Sequence, residues 1–336
     1  MAQINQELHD DTIRHAVFLV GLEGGVAKRM LRLIREVQAD INAKLANSPP
    51  LVTAARLQRL LESVKQLHRE LTLAVNADLG KELSGVAAYE AGFTHRLLSG
   101  KPRFADLGIV FDKVTAADVR SAATTRPFKG PQLAWATKTE QVNEWGRRRF
   151  NRVQAEIKLG FVEGEGIGSI ASRIRNVARM DEKTAEAIAR TAVNHYAATA
   201  RETYYEENSH VIVKQRWTAI LDGRTCPICA ALDGQISVPG GKDGPRPPAH
   251  TRCRCTLTPV VDRSLDPDPL PLVTWNDWLR TQPRSFVRDV LGPSRAKLYL
   301  DGGLKLDKFI DPSGRLYTLE QLAAKEATAF NLAGAG

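Results

Sequence analysis

The sequence predicts an α+β protein that is predominantly α-helical. An N-terminal helical bundle or hairpin is followed by a small mixed α/β module carrying a Cys/His knuckle site. Three observations predict this. Helical apolar stripes fill the first hundred residues. A β-branched, aromatic run arrives at Val211–Trp217. All four cysteines of the 336-residue chain lie between Cys226 and Cys255.

Asp10 and Asp11 are placed to cap a helix reaching about Asn47, where Ser48-Pro49-Pro50 stops it. Val17, Val20, Met30, Leu31, Ile34, Val37, Ile41 and Leu45 recur at helical spacing, and Gly21, Gly24 and Gly25 predict a kink. Thr53 opens a second helix with Leu57, Leu60, Leu61, Val64, Leu67 and Leu71 on one side, ending near Gly80. A third covers Val86 to Leu98. Between Phe104 and Leu133 the periodicity weakens, and Pro127, Gly130 and Pro131 mark a loop or linker. Helical pattern returns from Thr139 to Leu159, until Gly160, Gly164, Gly166 and Gly168 interrupt it. Ser169 starts a short helix to Ala178, and Asp181 caps another to Tyr205.

Val211–Trp217, Gln235–Val238 and Thr256–Val261 predict three short strands, with the cysteine knuckles on their connecting loops. After a proline-rich joint at Asp266–Pro271, Thr274 and Ser294 are placed as helix caps. Thr318-Leu319-Glu320-Gln321 has the spacing of a capping box. The expected domains are a helical region at 1–130, a Cys/His module at 131–262 and a helical tail at 263–336.

Composition excludes several classes. No apolar run approaches the ~20 residues of a membrane span, so no membrane partner is expected. The start lacks the basic and apolar stretches of a secretion signal, which predicts a reducing cytoplasm where structural disulfides are rare. Lys plus Arg number 47 against 38 Asp plus Glu, a net charge of +9. That excess permits contact with nucleic acid without requiring it.

Two knuckles organise the cysteines: Cys226-Pro227-Ile228-Cys229 and His250-Thr251-Arg252-Cys253-Arg254-Cys255. Each knuckle can supply two ligands from a tight turn, as a tetrahedral zinc site requires. The segment between them is rich in Gly and Pro and has too little apolar material to form a core, so a structural zinc is the expected crosslink. Cys226, Cys229, His250, Cys253 and Cys255 offer one ligand more than a closed site needs. Free thiols or disulfides are the alternative. A deaminase would need an upstream His-x-Glu, and His210 is followed by Val211 and Ile212. Asp222 and Asp233 flank the first knuckle as possible metal or water holders, although Asp222-Gly223 and Asp233-Gly234 are favoured turn pairs.

Arg147, Arg148, Arg149 and Arg152 crowd one helical segment. They are the candidate nucleic-acid contacts, with a solvated helix surface as the simpler account. Trp217, Trp275 and Trp278 are expected as core or interface anchors. The glycines at 160–168 lack the Gly-Lys-Ser/Thr of a phosphate loop.

The ordered motifs are Ala189-Arg190-Thr191, Trp217 through Asp222 to Cys229, Leu232-Asp233-Gly234, and Pro247-Pro248 through His250 to Cys255. In this order they resemble the phage Mu F-like minor head, or head morphogenesis, proteins. The likeness is strongest over residues 140–260. Trp278 through Gly292 and Gly314–Leu319 are similar to the family's tail, while 1–130 match only in general character. The resemblance implies a non-enzymatic minor capsid protein of a tailed phage or prophage, made in the host cytoplasm and housed in the virion. It would sit at the portal vertex or head interior with portal protein and other capsid or scaffold components. It would act in head assembly, and roles in DNA packaging or ejection would bring contact with double-stranded DNA. The competing readings are a metal-dependent nuclease or nucleotide-modifying enzyme using Asp222, Asp233 or His250, and a free-standing DNA-binding protein.

Overall fold

Long helices dominate because apolar faces continue where single residues suggest breaks. The computed structural model describes residues 4–47, 53–126, 128–130, 133–135, 137–241, 244–267 and 272–334. Ser48-Pro49-Pro50, Pro127, Pro131 and residues 268–271 of the proline-rich joint lie outside them. Helix α1 (Ile4–Ala46) begins six residues before Asp10, so Asp10 and Asp11 are interior rather than capping. Gly21, Gly24 and Gly25 are all helical. Helix α2 (Ala54–Ser99) joins the two helices expected on either side of Gly80. Leu79, Leu83, Val86 and Ala87 are buried in succession, and that continuous face outweighs the ~1 kcal/mol that a helical glycine costs.

Two short helices follow, α3 (Pro102–Asp106) and α4 (Ala116–Thr125), the latter opened by a Thr115/Asp118 capping box. A two-stranded ribbon, β1 (Phe128–Gly130) and β2 (Leu133–Trp135), precedes α5 (Lys138–Val162). Helix α6 runs unbroken from Ile167 to Glu207, so Asp181 is not a cap but lies inside it.

The chain forms two compact units, neither of them one continuous stretch. One unit comprises Gly21–Val86 and Trp135–Val193. Its core gathers Ile41, Leu45, Val64, Val153, Ile157, Ile170 and Ile174 from four helical segments. The helices approach closely at Gly146, where a Cβ would fall 2.2 Å from Thr72 Oγ1. Within this apolar bundle Asp181 is fully buried. It accepts from Arg149 Nη1 at 3.0 Å and from Arg152 Nη2, while Arg149 Nη2 donates to Gln38 Oε1 at 3.1 Å. Burial pushes the Asp181 carboxyl up and the Arg149 guanidinium down, each opposed by the other's charge.

The second unit comprises residues 1–20, 87–134 and 194–336. Its sheet has the order β4-β3-β5, with β3 (Ile212–Thr218) antiparallel to both β4 (Ile236–Ser237) and β5 (Thr256–Val261). Trp217 faces Leu257 across the β3–β5 pair. Helix α7 (Pro227–Leu232) interrupts the path from β3 to β4. The tail then supplies α8 (Trp275–Arg280), α9 (Arg284–Leu291), α10 (Pro293–Leu300), a 3-10 turn at Leu306–Phe309, α11 (Leu319–Lys325) and α12 (Ala327–Ala333). Thr318 forms the expected capping box and Thr274 the expected cap, also with a capping box, whereas Pro293, not Ser294, opens α10. Trp217, Cys229, Cys253, Cys255, Trp275, Leu279, Tyr299 and Phe309 all belong to one buried cluster. The tail is therefore part of the cysteine module's core and supplies apolar material that the segment between the knuckles lacks.

Removing one partner of a buried pair strands the other. Asp181→Ala is accordingly expected to destabilise the helical unit by about 3–5 kcal/mol. Asp181→Leu combined with Arg149→Met should recover most of that loss. Urea unfolding followed by circular dichroism measures both; an Asp181→Ala variant as stable as the parent would contradict this account.

Candidate metal centre

The first knuckle is built by a helix start. Cys226 caps α7, its Sγ accepting from the Cys229 N–H at 3.4 Å, and Pro227 fills the first helical position, where no N–H is needed. One helical turn later Cys229 points its sulfur back toward Cys226. The second knuckle turns through Arg252, whose φ of 59° is left-handed, and the Cys253 N–H donates to His250 O at 3.2 Å. A non-glycine residue rarely holds that conformation, so the tight turn is set by its surroundings.

The two knuckles meet. His250 Nε2 lies 3.1 Å from Cys226 Sγ and 3.0 Å from Cys229 Sγ, and Cys229 Sγ lies 3.8 Å from Cys253 Sγ. Two donor groups result, Cys226/Cys229/His250 and Cys229/Cys253/Cys255, sharing Cys229. All four cysteines are free thiols, so the disulfide alternative does not describe this structure. His250 Nδ1 lies 2.7 Å from Thr251 O. A carbonyl can only accept, so Nδ1 carries the proton and Nε2 is left facing the sulfurs.

Protons distribute unevenly over this cluster. Cys226 is held down to about 4, first by its hydrogen bond with Cys229 and then by His250. Burial would lower His250, but the Cys226 hydrogen bond and the charges of Cys253 and Cys226 push it up to about 9. Cys229 is pushed up, first by hydrogen bonding to Cys226, and Cys255 is pushed up by burial. Cys253 goes down despite burial, because Cys229 and Cys255 hydrogen-bond to it. Crowded thiolates and an imidazole that trade protons are a donor set that a divalent cation can take over, releasing those protons. The cluster can hold a metal ion.

Surrounding residues clamp both knuckles. Arg254 donates two hydrogen bonds to Asp222, at 2.7 and 2.6 Å. That contact holds the Asp222 carboxyl down to about 2. Asn194 Nδ2, from α6, donates to Cys253 O at 2.7 Å and to Cys255 O at 3.2 Å. The sequence gives no signal for Asn194, which is one polar residue among many on a helix 59 residues before Cys253. Asp233 Oδ1 accepts from Ala219 N–H at 2.7 Å and Oδ2 from Trp275 N–H at 2.6 Å, tying the end of β3 to the start of α8. Neither Asp222 nor Asp233 belongs to a donor group; both are fasteners.

The candidate nucleic-acid arginines separate. Arg147 and Arg148 are exposed and share Glu144, at 2.6 and 2.5 Å. Arg152 is partly exposed and bound to Asp181. Arg149 is fully buried and presents nothing to a ligand in solution. Burial thus separates Arg149 from the other three.

Residues 151–258 match the model of the family described as Phage Mu protein F like protein. The match runs from midway along α5 to β5 and contains all five Cys/His donors. A Haemophilus influenzae protein described as uncharacterized is 31% identical over 122 residues, which make up 34% of this chain and 26% of that relative. The chain thus spans about a quarter of the relative it matches. No solved structure matches.

Burial raises the Asp233 carboxyl to about 6 from an ordinary 3.8, against the pull of its two backbone donors. A raised folded-state value means stability is fullest below about pH 4 and falls as pH rises through about 6. Asp233→Asn should abolish that decline, which amounts to no more than about 3 kcal/mol. It should itself cost ~1–3 kcal/mol, because an amide offers only one acceptor to two N–H groups. Thermal unfolding of both proteins from pH 4 to 8 reads both effects; parallel profiles would refute the assignment.

Proposed function

We propose that this chain is a non-enzymatic minor structural protein of a tailed-phage or prophage head, acting in head morphogenesis at the portal vertex. One observation carries the reading: the segment matched to the Phage Mu protein F like family is the segment whose cysteines and histidine converge, three of the sulfurs within a buried core. Portal protein and other capsid or scaffold components are its partners. It assembles in the host cytoplasm and resides in the head, where it serves DNA packaging or ejection. The commitments of Asp222 to Arg254 and of Asp233 to two backbone amides weigh against a nuclease built on either carboxylate. The burial of Arg149 and the pairing of its neighbours weigh against a free-standing DNA-binding protein.

Zinc is the ion we propose for the cluster, held by Cys226, Cys229, His250 and Cys253. These four form an unbroken chain of contacts through His250 Nε2 and Cys229 Sγ. The 3.8 Å between Cys229 and Cys253 equals one edge of a tetrahedron with Zn–S bonds of ~2.3 Å, and the ion would draw Cys253 toward Cys226 and His250, which lie in the other donor group. Cys255 is the fifth donor, at the buried end. When bound, the ion supplies a crosslink and neutralises the thiolates; four protein ligands leave no position for a substrate.

Elemental analysis should find one zinc per chain. Cys255→Ser should keep it, whereas Cys226→Ser and Cys253→Ser should lose it and speed amide exchange over residues 222–258 while residues 54–86 stay protected. Unchanged exchange in both variants would dismiss the ion. The head assignment has its own test, sedimentation of heads and procapsids from an induced lysogen carrying a tagged copy. Absence of the tag from both particles would overturn it.

A further inference from the structure

The unit that holds the cysteine cluster also contains a cavity of about 740 Å³. That lies within the ~300–1,000 Å³ typical of ligand pockets. Its floor is apolar, formed by Trp217 of β3, Leu257 of β5, Leu232 and the Pro247–Ala249 stretch. Three guanidiniums line it, each from a different segment: Arg126 after α4, Arg246 in the loop before the second knuckle, and Arg315 in the turn before α11. One carboxylate, Glu202 of α6, lines it with them.

Glu202 is buried and accepts from Arg126 at 2.8 Å and from Arg246 at 2.7 Å. Glu206, which is not part of the lining, takes the second Nη of Arg126 at 3.1 Å. The Arg315 guanidinium makes no hydrogen bond or ion pair among the described residues, and its positive charge is left over at the rim. Trp217 is 1% exposed, lines the cavity, and has an indole N–H with no hydrogen-bond partner. That N–H is itself buried, so Trp217 meets the cavity with its apolar ring.

We propose that this cavity receives an acidic peptide segment of a partner protein, its carboxylates meeting Arg315 and Arg246 and its apolar groups packing on Trp217 and the Pro247–Pro248 floor. The dispersal of charge selects this class. A compact polyphosphate is held by clustered backbone amides at a helix start. Here the long helix lining the cavity is α6, which contributes residues of its C-terminal third, where the dipole repels concentrated negative charge. Carboxylates spaced along a chain fit guanidiniums set apart over a proline- and tryptophan-lined floor. The proposal depends on neither the zinc nor the head assignment, because its groups all lie outside the donor cluster.

Arg315 suits a test because it is exposed and its side chain supports no neighbour. A random heptapeptide library panned in parallel on the full chain and on Arg315→Glu should enrich Asp and Glu on the parent alone. Arg315→Lys should retain the enrichment. A fluorescently labelled selected peptide should bind the Arg315→Glu chain about tenfold more weakly by anisotropy, and the parent less tightly as salt rises. Equal enrichment on parent and Arg315→Glu chains, or none for acidic residues, would overturn the proposal. Displacement of the peptide by equimolar ATP would overturn the peptide class in favour of a small anion.

Discussion

The convergence of two knuckles, 21 residues apart at Cys229 and His250, is the constraint on which the smaller elements depend. Around it the sheet contributes Trp217, α6 contributes Asn194, and the tail contributes Trp275 and Phe309. Three of the four sulfurs pack here as part of an apolar core, with Cys226 against it and the imidazole half-buried. Every clamp described, from Arg254–Asp222 to Asp233–Trp275, holds a segment that begins or ends at a knuckle. A short α7 and a two-residue β4 could not persist alone, because such pieces bury too little surface to offset the entropy of ordering them.

The helical unit follows a different logic. Its core is aliphatic, with one polar group of Arg149, Arg152, Asp181 and Gln38 set inside it. Such a group contributes little net stability but penalises any register that separates its members. Long amphipathic helices can slide by a turn at small cost. A buried carboxylate that needs two guanidiniums removes that freedom.

Much of this was legible in the residues. Periodicity located the long helical segments but not α3 or α4, which fall where it weakens; β-branched content located all three strands of the sheet, and thiol spacing located the donor cluster. The boundaries failed where local signals met a continuous buried face. Gly80 did not end α2, and Asp181 did not start a helix, because Leu83 and Val86 in one case and Val177 and Ala185 in the other continue the core stripe. The tail's place was illegible for another reason. Trp275 and Phe309 read only as apolar residues, and nothing local says which core they fill. Asn194 and Glu202 act through partners far along the chain, which leaves no mark on their neighbours.

Because the cover over the thiols comes from downstream, synthesis runs ahead of protection. Phe309 leaves the ribosome roughly fifty residues after Cys255, an interval of several seconds at ~5–20 residues per second. During that interval the nascent knuckles stand open to oxidants and to stray soft metals. The maturing polypeptide thus has a brief vulnerable age, set by gene order within the chain rather than by the finished architecture.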